Sequence, residues 1–262
     1  MNETFVLLLE KLRKSKKYAG ICPDTLERVL QECLLRHKKP KDAEKAAREK
    51  LHGITGAFMT PEQRRNAQAA LLPALTDENA LTELMRQHAS TRERLPLSNI
   101  DALYDRLFST VGKPERILDL ACGLNPLYLG IRGYAVTGID IQNDAVELIN
   151  RLGAQGGMPV CAHCADLLLE HSIPEERFSL ALALKLLPLL EREQSGAAER
   201  LLQRVRADRI AVSFPTRTLT GRNVGMEANY TRWMEERLPS NLRVLDRFVQ
   251  GDELFYLLAP VE

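Results

Sequence analysis

Aromatic residues are scarce in this 262-residue sequence: seven Phe, six Tyr and one Trp make up 5% of it. Any core must therefore rest on Leu, Ala, Val and Ile. Cysteine is sparse and odd in number, five at irregular spacings, which argues against a disulfide framework. Cys161-Ala-His-Cys164 has metal-like spacing, but no second Cys or His pair stands at a suitable distance. One pair does not complete a tetrahedral zinc site, so no metal is expected and the thiols are read as reduced. Long hydrophobic runs are lacking too. The longest, Leu180 to Leu190, is broken by Lys185 and Pro188 and falls short of the roughly 20 apolar residues of a membrane span. The run Phe5 to Leu9 is short and no small-residue cleavage site follows it, which argues against a secretory signal. A cytoplasmic protein without membrane contact is expected.

An excess of charge of one sign is also missing: 36 Lys and Arg stand against 35 Asp and Glu, a net of +1. Taken whole, that balance argues against a polyanionic partner. Taken by segment, it does not. Up to Arg65 there are 15 basic and 9 acidic residues, a net of +6, and from Asn66 onward 21 and 26, a net of −5. Such asymmetry points to a nucleic-acid or membrane contact made by the basic piece.

Residues 1–108 show no convincing strand alternation and read as helices. Leu26, Val29, Leu30, Cys33 and Leu34 recur at three- and four-residue spacing, the mark of one buried helical stripe. Pro40 reads as the end of that helix, with Asp42 opening another over 42–52 and Gly53 and Gly56 interrupting it. Thr60-Pro61-Glu62 and Asp77 open two more. After Pro114 the texture changes. Short apolar runs at 116–123, 134–140, 158–166, 178–184 and 209–214 alternate with helical segments. That alternation predicts a doubly wound α/β fold with a mostly parallel sheet. Leu242–Val249 and Glu253–Leu258, joined by Gln250-Gly251-Asp252, read as a closing antiparallel hairpin. A Rossmann-like sheet ending in such a hairpin is the class I S-adenosylmethionine methyltransferase architecture. The expected division is an N-terminal all-helical domain, 1–85, and a sheet domain with leading linker helices, 86–262.

In a doubly wound sheet, ligands bind at the carboxyl ends of the strands near the switch in strand order. The first run continues as Asp119-Leu-Ala-Cys-Gly123-Leu-Asn125-Pro126, the second ends in Asp140 and the third in Asp166. Glycine lets backbone approach a ligand. A carboxylate at Asp140 can accept ribose hydroxyls, with Ile141 beside it, and one at Asp166 an adenine amino group, with Leu167 against the ring. Gly-x-Gly-x-x-Gly is absent from the first turn, which weakens a dinucleotide reading because that motif seats a pyrophosphate.

Several blocks carry a more specific likeness. Leu118-Asp-Leu-Ala-Cys-Gly-Leu-Asn-Pro126, His88-Ala-Ser-Thr-Arg-Glu-Arg-Leu95, Lys185-Leu-Leu-Pro-Leu-Leu-Glu-Arg-Glu-Gln194, Ser213-Phe-Pro-Thr-Arg217 and Gly225-Met-Glu-Ala-Asn-Tyr230 resemble the acquired aminoglycoside-resistance 16S rRNA methyltransferases. Ser15-Lys-Lys-Tyr18 and Leu51-His-Gly53 belong to the same signature. The resemblance implies methyl transfer from S-adenosylmethionine to N7 of guanine 1405 in the assembled 30S subunit, giving resistance to 4,6-disubstituted deoxystreptamine aminoglycosides. It implies His88 and Arg94 near the donor's carboxylate, Gly123 and Asn125 along its methionine moiety, and Gln194 closing over it. Lys185, at the end of the fourth strand, is expected to position the reactants, with no general base.

The polar, Gly-punctuated stretch holding Arg217, Arg222, Met226, Glu227, Asn229 and Tyr230 is assigned to the target nucleotide. Among the N-terminal cations, Lys16, Lys17, Arg36, Lys38, Lys39, Arg48, Lys50, Arg64 and Arg65 are the expected rRNA contacts, and about half of the basic set is expected to be merely solvated. No DNA partner is expected. A methyltransferase acting on tRNA or a small molecule, and a non-catalytic rRNA-binding factor, are the alternatives. A nucleoside pocket argues against the last, and a basic helical piece against a small-molecule substrate.

Overall fold

The computed structural model describes residues 3–55, 58–216 and 225–261. Three helices come first: α1 (Glu3–Arg13), α2 (Pro23–Arg36) and α3 (Pro40–Thr55). The stripe on α2 is buried as its spacing requires, with Leu26, Val29, Leu30 and Cys33 packed against Leu12 of α1 and Ala43, Ala47 and Leu51 of α3. Each large apolar side chain so buried contributes roughly 1.5–3 kcal/mol. A charge at Leu30 would break the unit. The α3 helix is longer than expected. Pro40 begins it instead of merely ending its predecessor, because proline fits the first turn, where no N–H is needed. Gly53 lies within it, with open space where a Cβ would stand.

Four further helices lead to the sheet: α4 (Pro61–Ala70), α5 (Glu78–Arg86), α6 (Ala89–Arg92) and α7 (Leu97–Val111). Thr60 and Gln63 form a reciprocal capping box on α4, and Asp77 caps α5 by accepting the Asn79 N–H at 2.9 Å. The apolar residues of α4, α5 and α7 lie in one cluster with residues of the sheet, whereas those of α1–α3 form their own. The expected unit 1–85 thus contains two sets of helices with different attachments.

The sheet follows as β1 (Ile117–Leu120), α8 (Asn125–Ile131), β2 (Val136–Asp140), α9 (Asn143–Gly156), β3 (Val160–Cys164) and β4 (Phe178–Leu184). It continues through α10 (Leu187–Glu193), α11 (Ala197–Arg204), β5 (Ala207–Pro215), α12 (Met226–Arg237), β6 (Leu242–Gln250) and β7 (Glu253–Pro260). Its order is β3-β2-β1-β4-β5-β7-β6. The first five strands are parallel, and β7 enters antiparallel between β5 and β6. The apolar runs of β1 and β4 are buried because helices cover both faces of the sheet. The expected fold class is the one observed.

The order reverses between β1 and β4, which places the ligand crevice at their carboxyl ends. The N-terminal unit reaches that edge. Ile21 bridges Gln142, the Cys22 N–H donates to the Ile141 carbonyl at 2.7 Å, and the Asn143 N–H donates to the Gly20 carbonyl at 2.9 Å. A Cβ at Gly20 would stand 2.9 Å from the Asp144 carboxylate, so that side chain would have to shift to admit one.

Candidate active site

Among the described residues, two that are not glycine have left-handed backbone, Ala121 (φ 54°) just after β1 and Lys185 (φ 55°) just after β4. Such conformations are costly and persist where the surroundings enforce them, often at functional sites. Both flank the switch point. Between them, Gly123 (φ 53°) turns the chain toward α8. A Cβ on Gly123 would lie 2.5 Å from Cε1 and 2.7 Å from Nδ1 of His88. Any other residue there would have to displace the His88 ring.

Asp140 is buried at the end of β2. Its Oδ2 accepts the Gly123 N–H and its Oδ1 the Gln142 N–H, both at 2.8 Å. Burial raises its pKa, opposed by these backbone donors. Each oxygen keeps a further lone pair, so the carboxylate is oriented and can still accept hydroxyl donors. Ile141 follows it, with its carbonyl committed to Cys22. Asp166 is buried two residues beyond β3, with Oδ1 accepting the Leu168 N–H at 3.0 Å and Oδ2 accepting Nε of Arg28 at 2.8 Å. The buried Leu167 is held through its carbonyl by Arg204 Nη2 at 2.9 Å.

His88 is buried and stacks on Phe58, with ring centroids 5.7 Å apart. Its Nδ1 meets Ser90 Oγ at 2.8 Å, while Nε2 has no hydrogen-bond partner. Burial, then the charges of Arg92 and Arg94, depress its pKa to about 4. A neutral imidazole with one unsatisfied nitrogen, pressed on the Gly123 turn, is a polar group that a ligand can satisfy. Asn125 is also buried. It accepts from Tyr104 at 2.7 Å and donates to Asp119 at 2.6 Å. Burial pushes the Asp119 carboxyl up to about 7, although Asn125 and Arg94 pull the other way.

Arg94 departs from the expected free fork. Its Nε and Nη2 grip Glu253 of β7 at 2.8 and 3.0 Å. A protein carboxylate thus occupies the edge expected to meet the donor, and only Nη1 lies outside the pair. Glu253 also accepts from Ser213 at 2.7 Å. Lys185 Nζ stands 2.6 Å from Glu93 and 3.4 Å from Glu253. The result is a cage of fixed charge between the ends of β4, β5 and β7. Gln194 is exposed at the C-cap of α10, beside Glu193, whose carboxylate lies 3.1 Å from Lys50.

Of the expected target-nucleotide residues, Arg217 and Arg222 lie outside the described residues. Met226, Glu227, Asn229 and Tyr230 form the first turns of α12. Tyr230 is half-buried on Phe214, with centroids 4.9 Å apart, and Glu227 pairs with Arg247 at 2.6 Å. Among the N-terminal cations, Lys16, Lys17, Arg36, Lys38, Lys39 and Arg65 are exposed with no acidic partner among the described residues. Three others are engaged internally: Arg48 with Glu44, Lys50 with Glu32 and Glu193, and Arg64 with Asp144 and Glu147. Arg28, Glu253 and Tyr104 carry no site signal in the sequence, and Asp119 is legible there only as one of three acidic strand ends. Arg28 and Glu32 are four apart on a helix, an ion-pair spacing, but no local signal connects Arg28 to Asp166.

Comparisons place this geometry among known proteins. Residues 14–257 match the family described as ribosomal RNA methyltransferase (FmrO). A 16S rRNA (guanine(1405)-N(7))-methyltransferase of Serratia marcescens is 46% identical over 251 residues, covering 95% of this chain and 96% of that one. One of Proteus mirabilis is 30% identical, covering 95% of each. The crystal structure of the 16S rRNA methyltransferase RmtF in complex with S-adenosyl-L-homocysteine superposes with a TM-score of 0.90 at 45% identity, covering 100% of both chains. The 16S rRNA methylase RmtB gives 0.87 at 41%, again over the whole of both. A sheet of this order, together with likeness along nearly the whole chain, establishes that the protein belongs to the ribosomal RNA methyltransferase family.

Proposed function

We propose that this protein methylates N7 of guanine 1405 of 16S rRNA in the assembled 30S subunit, with S-adenosylmethionine as methyl donor, and so confers resistance to 4,6-disubstituted deoxystreptamine aminoglycosides. The observation that carries the reading is the 46% identity with an enzyme named for that reaction. The crevice fits the donor: an oriented Asp140 carboxylate, a Gly123 turn where a Cβ would displace His88, and a buried His88 Nε2 without a partner.

Asp140 would hold the ribose hydroxyls, Asp166 the adenine amino group, and Leu167 and Ile141 the faces of the base. Gly123 and His88 would line the methionine moiety, with Asn125 fixing the turn beneath it. Arg94 acts by holding Glu253, with Nη1 left to face the donor's carboxylate side. Gln194 would cover the rim. When bound, S-adenosylmethionine supplies a methyl group activated by its positive sulfur. Guanine N7 carries a lone pair and no proton, so this chain need not supply a general base, and its contribution is proximity and orientation. The ion-paired Lys185 would steer the guanine rather than move a proton.

The residues after β5, Arg217 and Arg222 together with Met226, Asn229 and Tyr230, would receive the base, which must be exposed from its helix to be reached. Docking would fall to the helical unit within residues 1–85. Its exposed Lys16, Lys17, Arg36, Lys38, Lys39 and Arg65 would meet phosphate, with the internally paired Arg48, Lys50 and Arg64 nearer its inner side. The enzyme would act in the cytoplasm, where ribosomes are. Among the described residues, no helix is long and apolar enough to cross a membrane. The test is incubation of purified 30S subunits, protein-free 16S rRNA and tRNA with labelled donor, followed by strand cleavage at N7-methylguanine. Label at 1405 in the subunit alone supports the reading; label only in tRNA, or nowhere, overturns it.

A further inference from the structure

Asp166 does not stand alone at the rim of the crevice. Its side chain is 4% exposed, and its partner Arg28, on α2 of the N-terminal unit, is 13% exposed. Arg28 Nη1 also donates to Glu32 at 2.8 Å. The other oxygen of Glu32 accepts from Lys50 on α3 at 2.6 Å, and Lys50 stands 3.1 Å from Glu193 at the end of α10. A chain of alternating charge therefore runs from the loop after β3, through α2 and α3, to the helix after β4. These are the elements on the nucleoside side of the crevice.

We propose that Arg28 is a positioning residue for the methyl donor: by holding Asp166 it keeps that carboxylate an acceptor for the 6-amino group of the adenine. The proposal rests on the reading of Asp166 as the adenine contact. Asp166 has one oxygen on Arg28 and the other on a backbone N–H, so its plane is fixed while lone pairs remain for a ligand. Without Arg28, Oδ2 loses the contact that fixes it, and the carboxylate is held by the Leu168 N–H alone. It is then free to turn its lone pairs away from the amino group. Selectivity for a 6-amino purine therefore depends on Arg28. The ribose and methionine contacts at Asp140, Gly123 and His88 do not. Part of the donor site is thereby built by the helices that flank the exposed Arg36, Lys38 and Lys39.

The test is calorimetry on the full chain with S-adenosylhomocysteine and with S-inosylhomocysteine, which bears an oxo group in place of the 6-amino group. The wild type should prefer the adenosyl ligand by about 10-fold or more. Arg28→Met should weaken adenosyl binding about 10-fold and inosyl binding by less than about 3-fold, so the preference collapses. Arg28→Lys keeps the cation but loses the planar fork, and should restore part of the preference. Equal losses for both ligands would mean a merely structural role and overturn the proposal, as would no change in either. If Arg28→Met does not fold, an unchanged preference in Arg28→Lys overturns it. Asp166→Ala separates the two readings, because it leaves no acceptor there. If the preference survives Asp166→Ala, the adenine assignment is wrong and the proposal falls with it; if it is lost there but survives in Arg28→Met, only the role of Arg28 is wrong.

Discussion

Replacing Glu253 by Gln should cost the protein several kcal/mol of stability. The side chain is 6% exposed and takes two hydrogen bonds from Arg94, one from Ser213 and an ion pair from Lys185. Burial alone would raise its pKa; Arg94, then Lys185 and Ser213, outweigh it and hold it at about 2 against an ordinary 4.5. At about 1.4 kcal/mol per tenfold change in proton affinity, that difference corresponds to ~3 kcal/mol. Breaking one side of a buried pair typically costs a similar ~3–5 kcal/mol, because Arg94 is left charged and unmatched. With roughly 2–4 °C lost per kcal/mol in a chain of this size, the melting temperature should fall by about 10 °C. Because the folded pKa is depressed, this stabilisation is present above pH 4.5 and is lost as pH falls toward 2. The gap between wild type and variant should therefore narrow below pH 4.5. Urea unfolding followed by the fluorescence of Trp233, packed edge-on against Phe214, measures it. Arg94→Met/Glu253→Leu should be less destabilised than the single variant, since removing both charges leaves neither unmatched. A loss under about 1 kcal/mol at neutral pH, or a double variant worse than the single, would refute the reasoning.

Gly123→Ala should displace His88 and weaken S-adenosylhomocysteine binding in calorimetry; an unchanged Kd would show that the turn is free to relax. Asp140→Ala removes the acceptor for two backbone N–H groups as well as the proposed ribose contact, and should weaken the same ligand by about 100-fold or more. Reversal of charge at Lys16 and Lys17, or at Arg36, Lys38 and Lys39, should weaken 30S binding and flatten its salt slope while leaving ligand affinity intact; unaltered subunit binding would remove that face from the interface. The folded pKa of His88 lies below that of a free imidazole, so the neutral ring's contribution is present above about pH 6.5 and lost as pH falls toward 4. His88→Gln should lose that part of the acid sensitivity in a pH series of urea midpoints.

The alternation of apolar runs and helical patterns made the sheet readable, because strand burial leaves a local mark. The acidic strand ends were readable for the same reason: Asp140 and Asp166 interrupt apolar runs where the turns begin. Contacts between distant residues leave no periodic trace. Arg94 and Glu253 are 159 residues apart, Arg28 and Asp166 138. Arg94 read as a ligand fork because nothing near it in sequence announces a partner. Pro40 read as a stop because proline ends one helix and begins the next equally well. Charge counts found the basic unit but did not separate exposed Lys38 from engaged Lys50. That distinction depends on Glu193, which folding brings in from beyond β4.

The place of β7 in the sheet also bears on how the enzyme is made. Its neighbours β5 and β6 both precede it in the chain, yet it lies between them. A nascent chain that has emerged only through β6 therefore holds two unjoined strands, with Arg94 and Lys185 awaiting Glu253. Folding that depends on such late, non-local pairing is slow, and unpaired edges are prone to aggregate meanwhile. An enzyme proposed to modify ribosomes would thus gain its charge cage only once β7 has emerged behind β6.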